Sequence, residues 1–454
     1  MSARLFGTDG LRGRVGEGQI TPDFFVRLGW VLGRLLAVRQ GEVRHQVVIG
    51  KDTRISGYML ETALQSGLIA AGADVLLLGP MTTPGVAWLT RTLHASAGLV
   101  ISASHNHYHD NGLKIFDAEG RKLPEPEVRE MERILEQMER GEKRLDTVKA
   151  SRLGRAQRIN DASGRYIEYC KGVLAGKTNF AGMRIVLDCA NGATYQVAPG
   201  VFSELGMEVT ILSAEPNGFN INDKCGSMEP EVLRRAVLEN KADLGIAFDG
   251  DGDRVLFIDS HGHIVDGDQL LYILASDMLQ RRGDCAGVVG TEMSNMGLER
   301  ALQQLKIPFT RTKVGDRHIQ QMMEERRWPL GGEPSGHIIC ADISTTGDGI
   351  ATALRVMEVL AVAEKSLDAL VAGMKRFAQT TVNVSAQNSG LLLGDKRVVS
   401  AVEKVKARLG SSGRVILRPS GTEPVVRVTV EGEDGKLVHE LVTGLADVVR
   451  QVMA

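Results

Sequence analysis

AGLVISASHNHYHDNGLKIF, residues 97–116, is the stretch around which the rest of the chain is organised. The apolar run Leu99-Val100-Ile101 stops abruptly in small and polar residues, the pattern of a buried strand that delivers a side chain to the rim of a sheet. Ser104 then stands in a loop between Ala103 and His105-Asn106, with Lys114 ten positions further on. A serine hydroxyl is a poor nucleophile unless a base or a positive field assists it, so the donors and the cation nearby matter as much as the hydroxyl. Alone, the stretch also reads as a Ser/Asn/His-rich turn that merely closes a strand.

A second stretch answers it. In GIAFDGDGDRVLFID, residues 245–259, a hydrophobic strand breaks into Asp249, Asp251 and Asp253, separated by glycines, and a second strand follows. Three carboxylates at alternate positions converge on one hard cation only if the backbone folds tightly between them, which glycine permits. An EF-hand loop starting at Asp249 would need glycine where Arg254 stands and a bidentate glutamate where Ser260 stands, so that alternative fails. Few ligands, all carboxylate, suit Mg²⁺, which completes its shell with water or phosphate oxygens.

Working outward, strand and helix signals alternate. Thr21-Pro22 opens a helix carried by Phe25, Leu28, Leu32, Leu35 and Leu36; VVIGKDTR reads as strand and loop; a helix runs from about Ser56 to Ala71; VLLLG is another strand. The charged helix PEPEVREMERILEQMERGEKR closes this unit near residue 150, its charges forming a solvated face. The cadence restarts near Arg184, and a third unit has strands at GVVGT and FTRTK and one long helical run from Ile350 to Lys375. After Phe377 come TTVNVS, a helix near 396–409, the RVILRPSGTEPVVRVTVEG hairpin and a final helix. The expected fold class is α/β: three related, mixed-sheet α/β domains (1–150, 151–256, 257–375) and a smaller α+β C-terminal domain (376–454) around a central cleft.

Composition limits the function. With 454 residues, 43% hydrophobic, 24% charged and a formal net charge of −2, the chain has ordinary globular composition and no basic footprint for nucleic acid or acidic lipid. An anionic substrate must be drawn in by local arginines and lysines. The five cysteines are scattered and form no CxxC pair, which argues against a disulfide framework or a zinc cage. The first residues contain no apolar signal core, and no run reaches transmembrane length, so the expected compartment is the cytoplasm, with no membrane partner.

Two further loops complete the pattern. Residues 331–337 read GGEPSGH; residues 417–427 read LRPSGTEPVVR and offer backbone N–H groups, hydroxyls and guanidinium forks to an anion. Taken in order, SASHN, DGDGDR, GEPSGH and RPSGTEP resemble the phosphoserine, metal, sugar and phosphate loops of the α-D-phosphohexomutase family, a resemblance that extends from FGTDGLRG at Phe6 to the last loop.

The resemblance implies an enzyme that carries a phosphate on Ser104, passes it to a hexose monophosphate, and takes the other phosphate back from the resulting 1,6-bisphosphate. Mg²⁺ is implied at Ser104, Asp249, Asp251 and Asp253, and a hexosamine or hexose 1,6-bisphosphate as activator. Lys114 is the implied acid/base and His337 a second, while Arg12 and Arg254 contact phosphate. Glu333 and Ser335 hold sugar hydroxyls, with Gly315 and Asp316 of KVGDRHI lining the same pocket; Arg418, Ser420, Gly421, Thr422 and Arg427 anchor the phosphate that is not being transferred. Pro334 in GEPSGH and the GTDGLRG opening point to a bacterial branch that interconverts glucosamine 6-phosphate and glucosamine 1-phosphate on the route to UDP-N-acetylglucosamine. Within the same fold the alternative is a mutase of glucose or mannose phosphates; in another class, it is a sugar-phosphate binder without turnover. The implied partner is a small hexosamine phosphate, and a homodimer is the family expectation.

Overall fold

A computed structural model describes residues 5–7, 9–40, 44–174, 176, 178–385, 394–419 and 425–453. Its first sheet has the order β1-β5-β4-β2-β3-β6, formed by Leu11–Arg14 (β1), Gln46–Lys51 (β2), Asp74–Pro80 (β3), Ala97–Ile101 (β4), Asp110–Asp117 (β5) and Ala156–Arg158 (β6). Strands β4, β2, β3 and β6 run parallel, while β5 turns back antiparallel on β4 and β1 on β5. Side chains on a strand alternate between faces. Val47 and Ile49 of β2 accordingly pack with the helices Pro22–Gln40, Ser56–Ala70 and Glu125–Glu139, whereas Val48 packs with the helix Thr83–Thr92 on the other side. With both faces covered, β4 is buried at every residue and its only free direction is its C-terminal end, where Ser104 follows.

The second sheet, ordered β11-β10-β9-β7-β8, comprises Arg184–Asp188 (β7), Glu208–Leu212 (β8), Leu244–Phe248 (β9), Val255–Asp259 (β10) and Ile264–Val265 (β11). The aspartate-glycine loop is the hairpin between β9 and β10, which pair antiparallel. The third sheet, ordered β13-β12-β14-β15, comprises Val288–Thr291 (β12), Phe309–Thr312 (β13), Leu330–Gly332 (β14) and Ile338–Cys340 (β15), and its β14–β15 hairpin carries Glu333 to His337. Functional loops in open α/β sheets gather at the carboxyl ends of parallel strands, and β4, β9 and β14 all place their loops there.

The last unit is an antiparallel sheet of Ala378–Ser385 (β16), Gly413–Pro419 (β17) and Val425–Gly432 (β18), ordered β16-β18-β17 and covered by the helices Lys396–Leu409 and Gly435–Met453. One apolar core runs continuously through the first three units, from Val48 to Met374, while the last unit has a core of its own centred on Val426, Val428 and Val430. The last unit is attached to the third by polar contacts. Met296 N donates to Glu431 Oε1 at 2.6 Å, and Asn295 exchanges hydrogen bonds with the Phe377 backbone at 2.9 and 3.0 Å.

Three features depart from the sequence reading. The helix expected from Ile350 to Lys375 is two helices, Gly349–Ala363 and Leu367–Val371, because Glu364 takes a left-handed φ of 51° and ends the first. The join expected at 256 falls inside β10, whose pairing with β9 closes the aspartate loop, so the second sheet extends to Val265. Likewise β6 adds to β3 and carries the first sheet beyond residue 150. Among the described residues, no helix is long and apolar enough to cross a membrane, and all five cysteines are free and buried.

Candidate active site

Ser104 lies at the meeting point of the first two sheets. It is 1% exposed, and its Oγ donates to Asp249 Oδ2 at 2.6 Å. The approach is close: a Cβ at Gly250 would stand 2.5 Å from the Ser104 carbonyl oxygen, so only glycine allows the aspartate hairpin to seat against the serine loop. His105 Nδ1 is 3.4 Å from the same hydroxyl, and burial, reinforced by Arg254 and Arg12, lowers its pKa to about 3, so the imidazole is neutral at physiological pH.

Asp249, Asp251 and Asp253 are buried, and one oxygen of each lies within 4.8 Å of the others. Burial, then the charges of Asp251 and Asp253, raise the Asp249 carboxyl well above the ordinary range. Burial alone would pull Lys114 down, but Asp251, Asp253 and Asp9 outweigh it and hold the ammonium well above its usual value. Its Nζ lies 2.8 Å from Asp251 Oδ2, 2.7 Å from Asp253 Oδ2 and 3.4 Å from Asp9 Oδ2. Lys114 leaves the cluster unfinished: Arg254 Nε comes no nearer than 3.9 Å to Asp253 Oδ1, and Asp251 Oδ1 and Asp253 Oδ1 are buried without a hydrogen-bond partner among the described residues. Buried carboxylate oxygens left over in this way are expensive, and an oxygen-seeking divalent cation would satisfy them. The residues present fit a metal.

Other expected residues arrive around this centre. His337 Nδ1 is 3.6 Å from Asp253 Oδ2 and its Nε2 4.0 Å from Asp316 Oδ2; burial opposes its protonation, but Asp253 and Asp316 raise its pKa overall. Glu333 accepts the Gly315 N–H at 3.1 Å and lies 3.4 Å from Ser335 Oγ, so the third sheet's two loops are joined at their tips. Arg12 pairs with Asp9, and Arg254 gives its backbone N–H to Asp249 at 3.2 Å. The Nε atoms of Arg12, Arg254 and Arg418 are all buried without a hydrogen-bond partner among the described residues, three donors suited to anion oxygens.

Arg418 of β17 stands directly opposite Arg427 of β18. Like charges in that position repel, and burial followed by Arg427 lowers the Arg418 pKa. A bound anion would reverse the repulsion. Ser420, Gly421 and Thr422, expected beside this pair, lie outside the described residues.

The structure adds residues that the sequence had not marked. Thr83 Oγ1 donates to Asp251 Oδ2 at 2.5 Å; Lys122 joins Asp9 at 2.9 Å and also pairs with Asp316. Asp9 was visible as part of GTDGLRG. Lys122 and Thr83 had no signal, because their partners lie more than a hundred residues away along the chain.

The chain matches four domain families in succession: phosphoglucomutase/phosphomannomutase alpha/beta/alpha domain I over residues 3–142, domain II over 164–262, domain III over 266–377, and the C-terminal domain over 361–448. It belongs to the phosphoglucomutase/phosphomannomutase family, the α-D-phosphohexomutases. Within that family it falls with the phosphoglucosamine mutases. The phosphoglucosamine mutase of Cellvibrio japonicus is 55% identical over 454 residues, covering 100% of both chains, and that of Teredinibacter turnerae 54% identical over 450 residues, covering 99% of both. Among solved structures, a phosphoglucomutase/phosphomannomutase family protein from Burkholderia thailandensis aligns over 99% of this chain and 97% of its own, with a TM-score of 0.80; at 23% identity that likeness concerns the fold.

Proposed function

We propose that this enzyme interconverts glucosamine 6-phosphate and glucosamine 1-phosphate through a phosphorylated Ser104 and a 1,6-bisphosphate intermediate, as a cytoplasmic step toward UDP-N-acetylglucosamine. The observation that carries the reading is the Ser104 hydroxyl bonded into a buried triad of aspartates, two of whose oxygens have no hydrogen-bond partner among the described residues although Lys114 lies against them. A binder without turnover has no use for a nucleophile there. A phosphatase would have little use for the second anion position at Arg418 and Arg427, whereas a mutase must hold a phosphate at each end of its sugar.

In this reading the phosphoryl group leaves Ser104 for the free hydroxyl of the sugar phosphate. After the bisphosphate turns over, Ser104 receives the other phosphate. Mg²⁺, held by Asp249, Asp251, Asp253 and a Ser104 phosphate oxygen, would neutralise charge on the phosphoryl oxygens. Lys114 and His337 would exchange a proton with the sugar hydroxyl, and Arg12 and Arg254 would meet phosphate oxygens, a role supported by Nε atoms that have no hydrogen-bond partner among the described residues. Glu333 and Ser335 orient the sugar hydroxyls, beside Gly315 and Asp316. A trace of hexosamine or hexose 1,6-bisphosphate would charge the serine.

Two measurements test this scheme. With Mg²⁺ and a trace of hexose 1,6-bisphosphate, kcat/KM for glucosamine 6-phosphate should exceed that for glucose 6-phosphate and mannose 6-phosphate by about tenfold or more, roughly 1.4 kcal/mol of differential transition-state binding. A preference for glucose or mannose would retain the serine and the metal but overturn the amino-sugar assignment. Arg418→Ala should raise KM by about tenfold to a hundredfold, the usual worth of a charge-assisted hydrogen bond, with kcat much less affected. An unchanged KM would remove Arg418 from the anchoring site.

A further inference from the structure

Ser104 is held in a conformation that its own residue type disfavours. Its φ is +51°, in the left-handed region that a residue with a Cβ disfavours. Two side chains hold it there. Arg54, fully buried, directs its guanidinium at the loop: Nη2 donates to the carbonyls of Ser104 at 2.9 Å and Asn106 at 2.7 Å, and Nη1 to the carbonyls of Asp110 at 3.1 Å and of His107. Asp52 fixes the fork from behind, accepting from Arg54 Nε at 2.8 Å, from Arg54 N at 3.0 Å and from Ser102 Oγ at 2.6 Å.

The second side chain comes from the other sheet. Asn222, 5% exposed, donates through Nδ2 to the same two carbonyls, of Ser104 and Asn106, each at 2.9 Å. A carboxamide facing two carbonyl oxygens must present its NH₂ end. A carbonyl oxygen has two lone pairs, so Arg54 and Asn222 together saturate both acceptors. Asn222 is itself secured by its backbone N–H, which donates to Ala190 O at 2.9 Å beside the β7 end of the second sheet.

We propose that Arg54 and Asn222 are positioning residues for phosphoryl transfer, a two-sided clamp that holds the Ser104 loop in register with the aspartate triad. This rests on the mutase reading of Ser104. Arg54 secures the loop to the first sheet and Asn222 to the sheet whose hairpin bears Asp249, so the 2.6 Å contact between Ser104 Oγ and Asp249 is set by both. Neither side chain donates to the Ser104 Oγ; both work through the carbonyl side of the loop. In-line transfer is sensitive to such placement, because a misplacement of about 1 Å costs on the order of 10²-fold in rate.

The experiment compares wild type, Asn222→Ala, Asn222→Asp, Arg54→Lys and the Arg54→Lys/Asn222→Ala double variant by kcat, KM and the single-turnover rate at which hexose 1,6-bisphosphate phosphorylates Ser104. Asn222→Asp keeps the shape but offers no donor, so it and Asn222→Ala should each slow phosphorylation by about tenfold to a hundredfold, with KM within about threefold of wild type. Because both residues act on the same two carbonyls, the double variant should lose clearly less than the product of the single losses. A role confined to stability would lower Tm and leave the folded enzyme's rate alone. Asn222 variants within about twofold of wild type, or losses that multiply independently, would overturn the clamp. If Arg54→Lys does not fold, the Asn222 pair decides by its rate alone. Wild-type enzyme that takes no phosphate on Ser104 would instead count against the mutase reading itself.

Discussion

Ser104→Ala should lower mutase turnover by about three orders of magnitude or more, the usual consequence of removing a covalent nucleophile. The fold should persist. Alanine meets the same left-handed φ at a similar cost, the Arg54 and Asn222 bonds go to the main chain, and the Oγ contributes only its bond to Asp249 and the long 3.4 Å contact with His105 Nδ1. The variant should bind glucosamine 6-phosphate with nearly wild-type affinity and take up no phosphate from the bisphosphate. This outcome also separates an enzyme from a sugar-phosphate binder, because a binder would be indifferent to the loss of the hydroxyl. Turnover close to wild type would sink the covalent mechanism.

The second large effect is expected at the carboxylate triad. Asp251→Asn should reduce kcat by about 10²–10³-fold, the range for losing one preorganised electrostatic element of a transition state. Stability offers a readout independent of activity. In the metal-free protein the substitution should cost little: Lys114 keeps Asp253 at 2.7 Å and Asp9 at 3.4 Å, and the pressure on Asp249 from burial and its neighbouring carboxylates is relieved. Saturating Mg²⁺ should stabilise wild type by about 2.7 kcal/mol at a hundred times its Kd, by mass action. The variant should show much less of that gain. An equal Mg²⁺-induced rise in Tm for both proteins would show that Asp251 is no ligand.

The parts of the candidate site that were legible in the sequence are local. A buried β-branched strand ending in Ser104, and a strand-turn-strand with aspartates at alternate positions, are patterns of a few residues whose chemistry depends on spacing alone. The helix over 396–409 was legible for the same reason, with Asp395 capping its first turn. The break at Glu364 was not, since helical periodicity continues across it and only the left-handed turn interrupts it. Nor was the extent of the second sheet, because β10 follows so directly from the aspartate loop that the sequence offers no boundary before it.

The sequence by itself determined the candidate nucleophile Ser104, the run of three aspartates, the loops proposed to hold sugar and phosphate, their order along the chain and the α/β class that presents them. Only the tertiary structure decided how they meet: that Ser104 Oγ reaches Asp249, that Lys114 lies between Asp251 and Asp253, and that Asn222 and Arg54 hold one loop from two sheets. Apart from the Arg54 bond, which stays within the first sheet's unit, these contacts join residues of separate sheets more than a hundred positions apart. Their geometry follows from how β4 and the β9–β10 hairpin are packed against each other, a global property of the core that no local spacing encodes.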